Sequence, residues 1–127
     1  MTSELIYVVA AVIKRGDAYL ICRRPHEKRH GGLWEFPGGK LHSPETSSQA
    51  VERELQEELG VTTVSVGSLL YSIRDASSPF VIQFYPVEII GEPTAIEHSE
   101  LAWVSVEQMH DLPLAPSDRA FANTLPQ

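Results

Sequence analysis

From Leu5 to Ile13 the chain reads LIYVVAAVI, with no charge and many β-branched side chains. A half-exposed strand alternates apolar and polar residues. This run is apolar on both faces, which predicts a central strand. It falls far short of the ~20 residues that a membrane span requires. Lys14-Arg15-Gly16-Asp17 predicts a turn, and Ala18 to Arg23 its hairpin partner. Arg24 to Leu33, with Pro25 and the Gly31-Gly32 pair, predicts a loop, and Trp34-Glu35-Phe36 a short strand before Pro37-Gly38-Gly39. Val61 to Arg74 and Phe80 to Ile90 predict two strands around a Ser-Ser-Pro turn, with Pro86 marking an edge or bulge in the second. Gly91 to Glu100 predicts a polar loop, and Leu101 to Val104 a short strand. Val106 to Asp111 predicts a helical turn, and Ser117 to Leu125 a terminal helix. The mixture predicts an α/β or α+β class around a mixed sheet. The 127 residues, without linker or repeat, predict one domain over 1–127.

The longest helix is the most informative element. Thr46 and Gln49 have capping-box spacing, and Gly60 follows Leu59 as a stop, which predicts a helix over Ser47 to Leu59. Val51, Leu55 and Leu59 form its apolar stripe. Glu54, Glu57 and Glu58 lie at i, i+3 and i+4 beside it, where like charges repel by roughly 0.2–0.5 kcal/mol per pair. They also crowd the helix C-terminus, where the macrodipole disfavours anions. Stability alone would place lysine there. Three carboxylates beside a packed face suggest a hard divalent cation, Mg²⁺ or Mn²⁺; the alternative is an acidic, solvated helix face.

Charge is unevenly distributed. The net charge of −7 argues against a nucleic-acid polymer as partner. Up to Lys40 the chain is net +3, and beyond it −10. A basic segment beside a carboxylate cluster can hold phosphates on one side and cations on the other. Cys22 is the only cysteine, which excludes an intramolecular disulfide, and in an apolar strand it reads as an inert buried thiol. The N-terminus lacks a basic flank and a long apolar stretch, so no secretory signal is expected, and a reducing cytoplasm suits the chain. The five histidines are expected to have surface roles rather than to bind zinc, and no nucleophile elbow or phosphate-binding Walker loop appears.

From Gly39 to Val61 the sequence is GKLHSPETSSQAVERELQEELGV. It fits Gly-x5-Glu-x7-Arg-Glu-U-x-Glu-Glu-x-Gly-U, with U aliphatic, at every position. At average residue usage a chance match in such a chain is on the order of 10⁻⁸. This resembles the Nudix hydrolase family, with its signature box at 39–61. Arg23-Arg24-Pro25 and Gly32-Leu33-Trp34-Glu35-Phe36-Pro37-Gly38-Gly39-Lys40 resemble the MutT-type branch. Glu97-His98, Leu101-Ala102-Trp103 and Pro113 to Asp118 resemble bacterial CTP pyrophosphohydrolases of that branch. The resemblance implies an α/β/α sandwich with a mixed sheet. It also implies Mg²⁺-dependent hydrolysis of a nucleoside triphosphate to monophosphate and pyrophosphate, on oxidised or modified dNTPs or on CTP-like pyrimidines. Two alternatives stay open: a Nudix hydrolase of a nucleotide sugar, ADP-ribose or dinucleoside polyphosphate, and a non-catalytic nucleotide-binding module. The protein is expected as monomer or homodimer, without a membrane partner.

The resemblance also assigns residues. Glu54, Glu57 and Glu58 are the expected metal ligands, with the carbonyl of Gly38. Glu54 is the first candidate for the base that deprotonates water, and Glu57→Gln is expected to keep the fold and lose most activity. Glu97 is the second candidate base or outer ligand, with Glu100 close enough to take its place. Arg24 and Lys40 are the expected phosphate contacts, and Glu35, Phe36 and Asp118 complete the expected substrate site. A carboxylate at 118 can accept from cytosine N4 or from guanine N1 and N2, so it does not choose the base; it also suits the first turn of the terminal helix. Phe36, Tyr7 and Phe80 could stack on a base or serve the core. Arg53 reads either as a group that orients a metal ligand, paired with Glu45 or that ligand, or as a plain surface ion pair. For Glu45 a structural role at the helix N-terminus is favoured. Arg23, Lys28 and Arg29 read as solvated surface.

Overall fold

The computed structural model describes residues 4–126; Met1 to Ser3, part of the segment read above for a secretory signal, and Gln127 lie outside the described residues. In chain order the elements are β1 (Ile6–Val12), β2 (Lys14–Arg15), β3 (Ala18–Arg23), β4 (Trp34–Glu35), β5 (Gly38–Lys40), α1 (Ser47–Leu59), β6 (Thr62–Val66), β7 (Tyr71–Arg74), β8 (Phe80–Ile90), β9 (Glu100–Val104), α2 (Val106–His110) and α3 (Pro116–Ala122). The mixed sheet runs β5-β1-β8-β6, with β7 also pairing β8, and β1 lies parallel to β8 and antiparallel to β5. A second, antiparallel sheet centres on β3, flanked by β2, β4 and β9.

The two apolar faces of β1 each find a cover. Val9 and Ala11, with Ile13 just beyond the strand, pack with Leu20 and Cys22 beneath Ala50, Val51, Leu55 and Leu59 of α1. Ala10 and Val12 pack on the other side with Phe84, Met109 and Phe121, under α2 and α3. Helices on both sides of the strands give the α/β/α sandwich. Val51, Leu55 and Leu59 are all essentially inaccessible, and burying such side chains stabilises by about 1.5–3 kcal/mol each. Both predicted caps of α1 form: Thr46 accepts from the Gln49 N–H, the Gln49 side chain accepts from the Thr46 N–H, and Gly60 adopts φ 67°. Among the described residues no helix is long and apolar enough to cross a membrane.

Three expectations need correction. Val61 to Arg74 is not one strand but two, β6 and β7, both antiparallel to β8 and separated at Gly67 to Leu70. Pro86 does not mark an edge: β8 has β1 on one side and β6 and β7 on the other. The Pro86 carbonyl accepts from the Gly67 N–H, in the gap between β7 and β6. A strand residue directs its carbonyl and its N–H to the same side. The donor that proline lacks therefore falls at the seam between the two partners, where no ladder bond is lost. The terminal helix is also shorter than predicted, ending at Ala122.

Candidate active site

The helix α1 brings its carboxylates to the sheet through its own periodicity. Glu54 and Glu58 are buried together with the apolar stripe. A Cβ on Gly39 would collide with the Glu54 carboxylate, so the bare backbone of β5 is what makes room for it. A Cβ on Gly38 would strike the Val9 carbonyl, and the Gly38 N–H donates to Glu58 Oε1 at 3.0 Å. Arg53 ties the assembly together. Its guanidinium donates to Glu45 at 2.7 Å, to Glu54 at 2.7 Å and to the Lys40 carbonyl at 2.9 Å. Those donations hold the Glu45 carboxyl down at about 2. Arg53 therefore orients a cleft carboxylate and is more than a surface pair.

Glu57 stands apart. Its side chain is 51% exposed, 3.5 Å from Arg53, and outside the cleft that Glu54 and Glu58 line. At about 100° per residue, Glu57 lies roughly 100° round the helix from Glu58, on the far side of Glu54. The spacing i, i+3, i+4 is thus wide enough to divide between cleft and solvent.

The cleft has a volume of about 840 Å³ and gathers most of the predicted residues: Arg24, Glu35, Phe36, Gly38, Lys40, Glu54, Glu58, Glu97 and Asp118. Lys28 and Arg29, read from sequence as plain surface, line it too. Arg24 donates to Glu35 at 3.1 Å and to the Arg29 carbonyl at 2.6 Å. Lys40 and Arg29 lie 5.5 and 5.8 Å from the Phe80 ring at the same cleft. Basic residues from the first third of the chain and carboxylates from the acidic remainder thus line one cavity. Glu100 instead pairs with Arg23 at 3.0 Å and does not line the cleft, whereas Glu97 does. Tyr7 is likewise absent from the lining. The Phe36 ring is 3% exposed and packs edge-on against Phe84 and Phe121, so it serves the core; its N–H donates to Asp118 Oδ1 at 2.9 Å. Burial, then Glu35, pushes the Asp118 carboxyl up to about 8.

A model of the NUDIX domain matches residues 5–125. The chain belongs to the Nudix family. It is similar to CTP pyrophosphohydrolase of Escherichia coli, 39% identical over 91% of this chain and 87% of that protein. It is also similar to 8-oxo-dGTP diphosphatase of Haemophilus influenzae, 39% identical over 82% of this chain and 79% of that protein. Among solved structures, a MutT NUDIX hydrolase from Burkholderia pseudomallei superposes with a TM-score of 0.83 at 27% identity, covering 98% of this chain and all of that one. The chain is accordingly a Nudix hydrolase acting on phosphoric anhydrides.

Nudix hydrolases generally need divalent metal ions, and the donors here fit one. Among the described residues no three His, Cys, Asp or Glu side chains form a ready-made metal cage. Mg²⁺ does not require one; it is commonly held by one or two carboxylates plus water and substrate phosphates. Glu54, in the room left by Gly39, and Glu58, held by the Gly38 N–H, supply two hard oxygen donors. Without a cation, burial and then the neighbouring Glu54 and Glu35 push the Glu58 carboxyl up to about 9. Arg53 serves Glu54, but among the described residues no cationic side chain pairs with Glu58.

The sequence reads the histidines as surface and gives Asp75 no role, yet His98 and Asp75 both line the cleft and the His98 side chain is 5% exposed. His98 Nε2 lies 2.9 Å from Glu35 Oε2. Asp75 lies 3.8 Å from Arg29 and accepts from Ser117 at 3.4 Å. Each depends on a partner more than forty positions away in sequence, beyond any local pattern. One clue was available for the loop that carries Glu97. A helix end leaves carbonyls needing donors, and here Thr94 and Ile96 donate to the Leu59 and Glu58 carbonyls. Burial keeps the Cys22 thiol protonated by raising its pKa, as expected of an inert cysteine.

Proposed function

We propose that the protein is a Mg²⁺-dependent nucleoside triphosphate pyrophosphohydrolase, converting an NTP or dNTP and water to the monophosphate and pyrophosphate. One observation carries the reading. Arg24, Lys28, Arg29 and Lys40 line the same cleft as the buried Glu54 and Glu58, and its volume suits one nucleotide. Polyphosphate is the ligand that needs both sets, cations for its oxygens and carboxylates for its metal. The two relatives named above point to CTP-like pyrimidines or oxidised dNTPs as the substrate class.

In this reading Glu54 and Glu58 hold Mg²⁺, with Glu57 and the Gly38 carbonyl as further candidate donors. The ion neutralises phosphate oxygens and makes water more acidic. Lys40 and Arg24 fix the phosphate chain. For Arg24 this means sharing its guanidinium between Glu35 and the substrate. Glu54 is the first candidate to take the proton from water and Glu97 the second. Asp118 reads the base at the opposite end, presenting a carboxyl already anchored by Phe36.

A panel of CTP, modified dCTPs, dGTP and 8-oxo-dGTP at low concentration, with and without Mg²⁺, tests the proposal. Pyrophosphate released only with the metal is the expected result. No turnover of any nucleotide with any divalent ion would defeat it, and two monophosphates as products would move the substrate to a dinucleotide class.

A further inference from the structure

The roles above leave out His98, the most enclosed polar side chain of the loop between β8 and β9. Its side chain is 5% exposed, and Nε2 lies 2.9 Å from Glu35 Oε2. Arg24 donates to the other Glu35 oxygen at 3.1 Å. A carboxylate beside a guanidinium accepts, so Nε2 carries the proton. Nδ1 is then left buried without a hydrogen-bond partner. An orphaned buried nitrogen weakens a fold, and a leucine of similar bulk would not bring one. What the imidazole offers in return is the Nε2 donation.

That bond sits where it can govern Glu97. The surrounding loop is held by backbone donors: Ile96 to the Glu58 carbonyl and Ser99 to the Arg23 carbonyl. Two side-chain bonds tie this segment to the second sheet among the described residues: His98 to Glu35, next to Glu97, and the Ser99 hydroxyl to the Arg23 carbonyl at 3.2 Å. Glu97 lines the cleft. Glu35 sits in β4 and Arg24 just after β3. One hydrogen-bonded chain thus joins the phosphate wall, the second sheet and the Glu97 loop.

We infer that His98 is a positioning residue for the hydrolysis: its bond to Glu35 fixes where Glu97 meets the cleft. The inference rests on the reading of Glu97 as a working carboxylate of the site.

The test combines kinetics on CTP or 8-oxo-dGTP with Mg²⁺ and amide exchange of the free protein. His98→Leu is expected to lower kcat by about 10- to 100-fold while KM moves by about twofold or less. His98→Gln, whose amide nitrogen reaches where Nε2 lay, should restore most of it. In a Glu97→Gln background His98→Leu should add little, since groups acting as one unit are not additive. The Ile96 and Ser99 amides should exchange faster in His98→Leu and normally in His98→Gln. Turnover equal to wild type in His98→Leu would overturn the inference. So would an equal loss with and without Glu97, or a folded His98→Gln as slow as His98→Leu. If the leucine variant does not fold, His98→Asn, too short to reach Glu35, carries the same comparison. If the wild type cleaves no nucleotide, the functional proposal fails by itself, and amide exchange still decides this one: unchanged protection at Ile96 and Ser99 overturns it.

Discussion

Two parts of the cleft lining are built differently. In one, a single helix supplies Glu54 and Glu58, and a neighbouring backbone without side chains receives them. In the other, Glu35, Asp75, His98 and Asp118 come from four separate segments, joined by contacts such as His98–Glu35 and Phe36–Asp118. The first is fixed by helical periodicity and stays legible as a spacing. The second is fixed by how the sheets and α3 pack, and no spacing encodes it. A site of the first kind tolerates change elsewhere in the chain, whereas one of the second inherits every shift in packing.

Substitutions can break this comparison. The largest effect should come from Glu54→Gln, which keeps shape and removes charge. A loss of kcat of about 10²–10⁴ is expected with an unchanged circular dichroism spectrum. Near-normal turnover would show that the helix edge is not the reacting end. Glu57→Gln separates the residues of that edge. Most activity should disappear if Glu57 swings in as a ligand, whereas retained turnover would limit the metal set to the buried pair. Leu55→Ala should cost about 2–5 kcal/mol in a urea titration, because the stripe it leaves also seats Glu54 and Glu58.

The buried carboxyls of both parts should also respond to pH. Asp118 is raised from 3.8 to about 8 in the folded protein. The folded chain therefore binds more protons than the unfolded one between those values. The stability tied to this carboxyl is full below about pH 4 and disappears as pH rises through about 8. Glu58, raised to about 9, acts in the same direction. Urea midpoints for wild type should fall from pH 5 to 9, less steeply in Asp118→Asn, and least in Asp118→Asn with Glu58→Gln. A slope unchanged by Asp118→Asn would show that its carboxyl is ionised throughout. The smallest effect is Lys40→Ala, which should raise KM for the triphosphate several-fold by removing one exposed phosphate contact, with kcat nearly constant.

Much of the fold was legible because it rests on local chemistry. Thr46 and Gln49 cap α1 through their side chains, Gly60 ends it by lacking one, and Leu5 to Ile13 predicted a strand covered on both faces. Pro86 misled because a missing N–H says that one bond is absent, not where the gap lies. The break at Gly67 that turns one predicted strand into β6 and β7 supplies that gap. Glu57 shows a similar limit: a wheel shows which residues are near one another, but not where the buried sector ends, and Glu57 lies outside it.

The sequence by itself determined the helix, its caps, its apolar stripe and the run of glutamates along its edge, since each depends on neighbours within about one turn. Tertiary structure decided that only two of those glutamates face the cleft, that Glu97 and not Glu100 joins them, and that His98 and Asp75 belong to the site. Those outcomes depend on which distant backbone offers a partner or leaves out a Cβ, and only the packed chain contains that information.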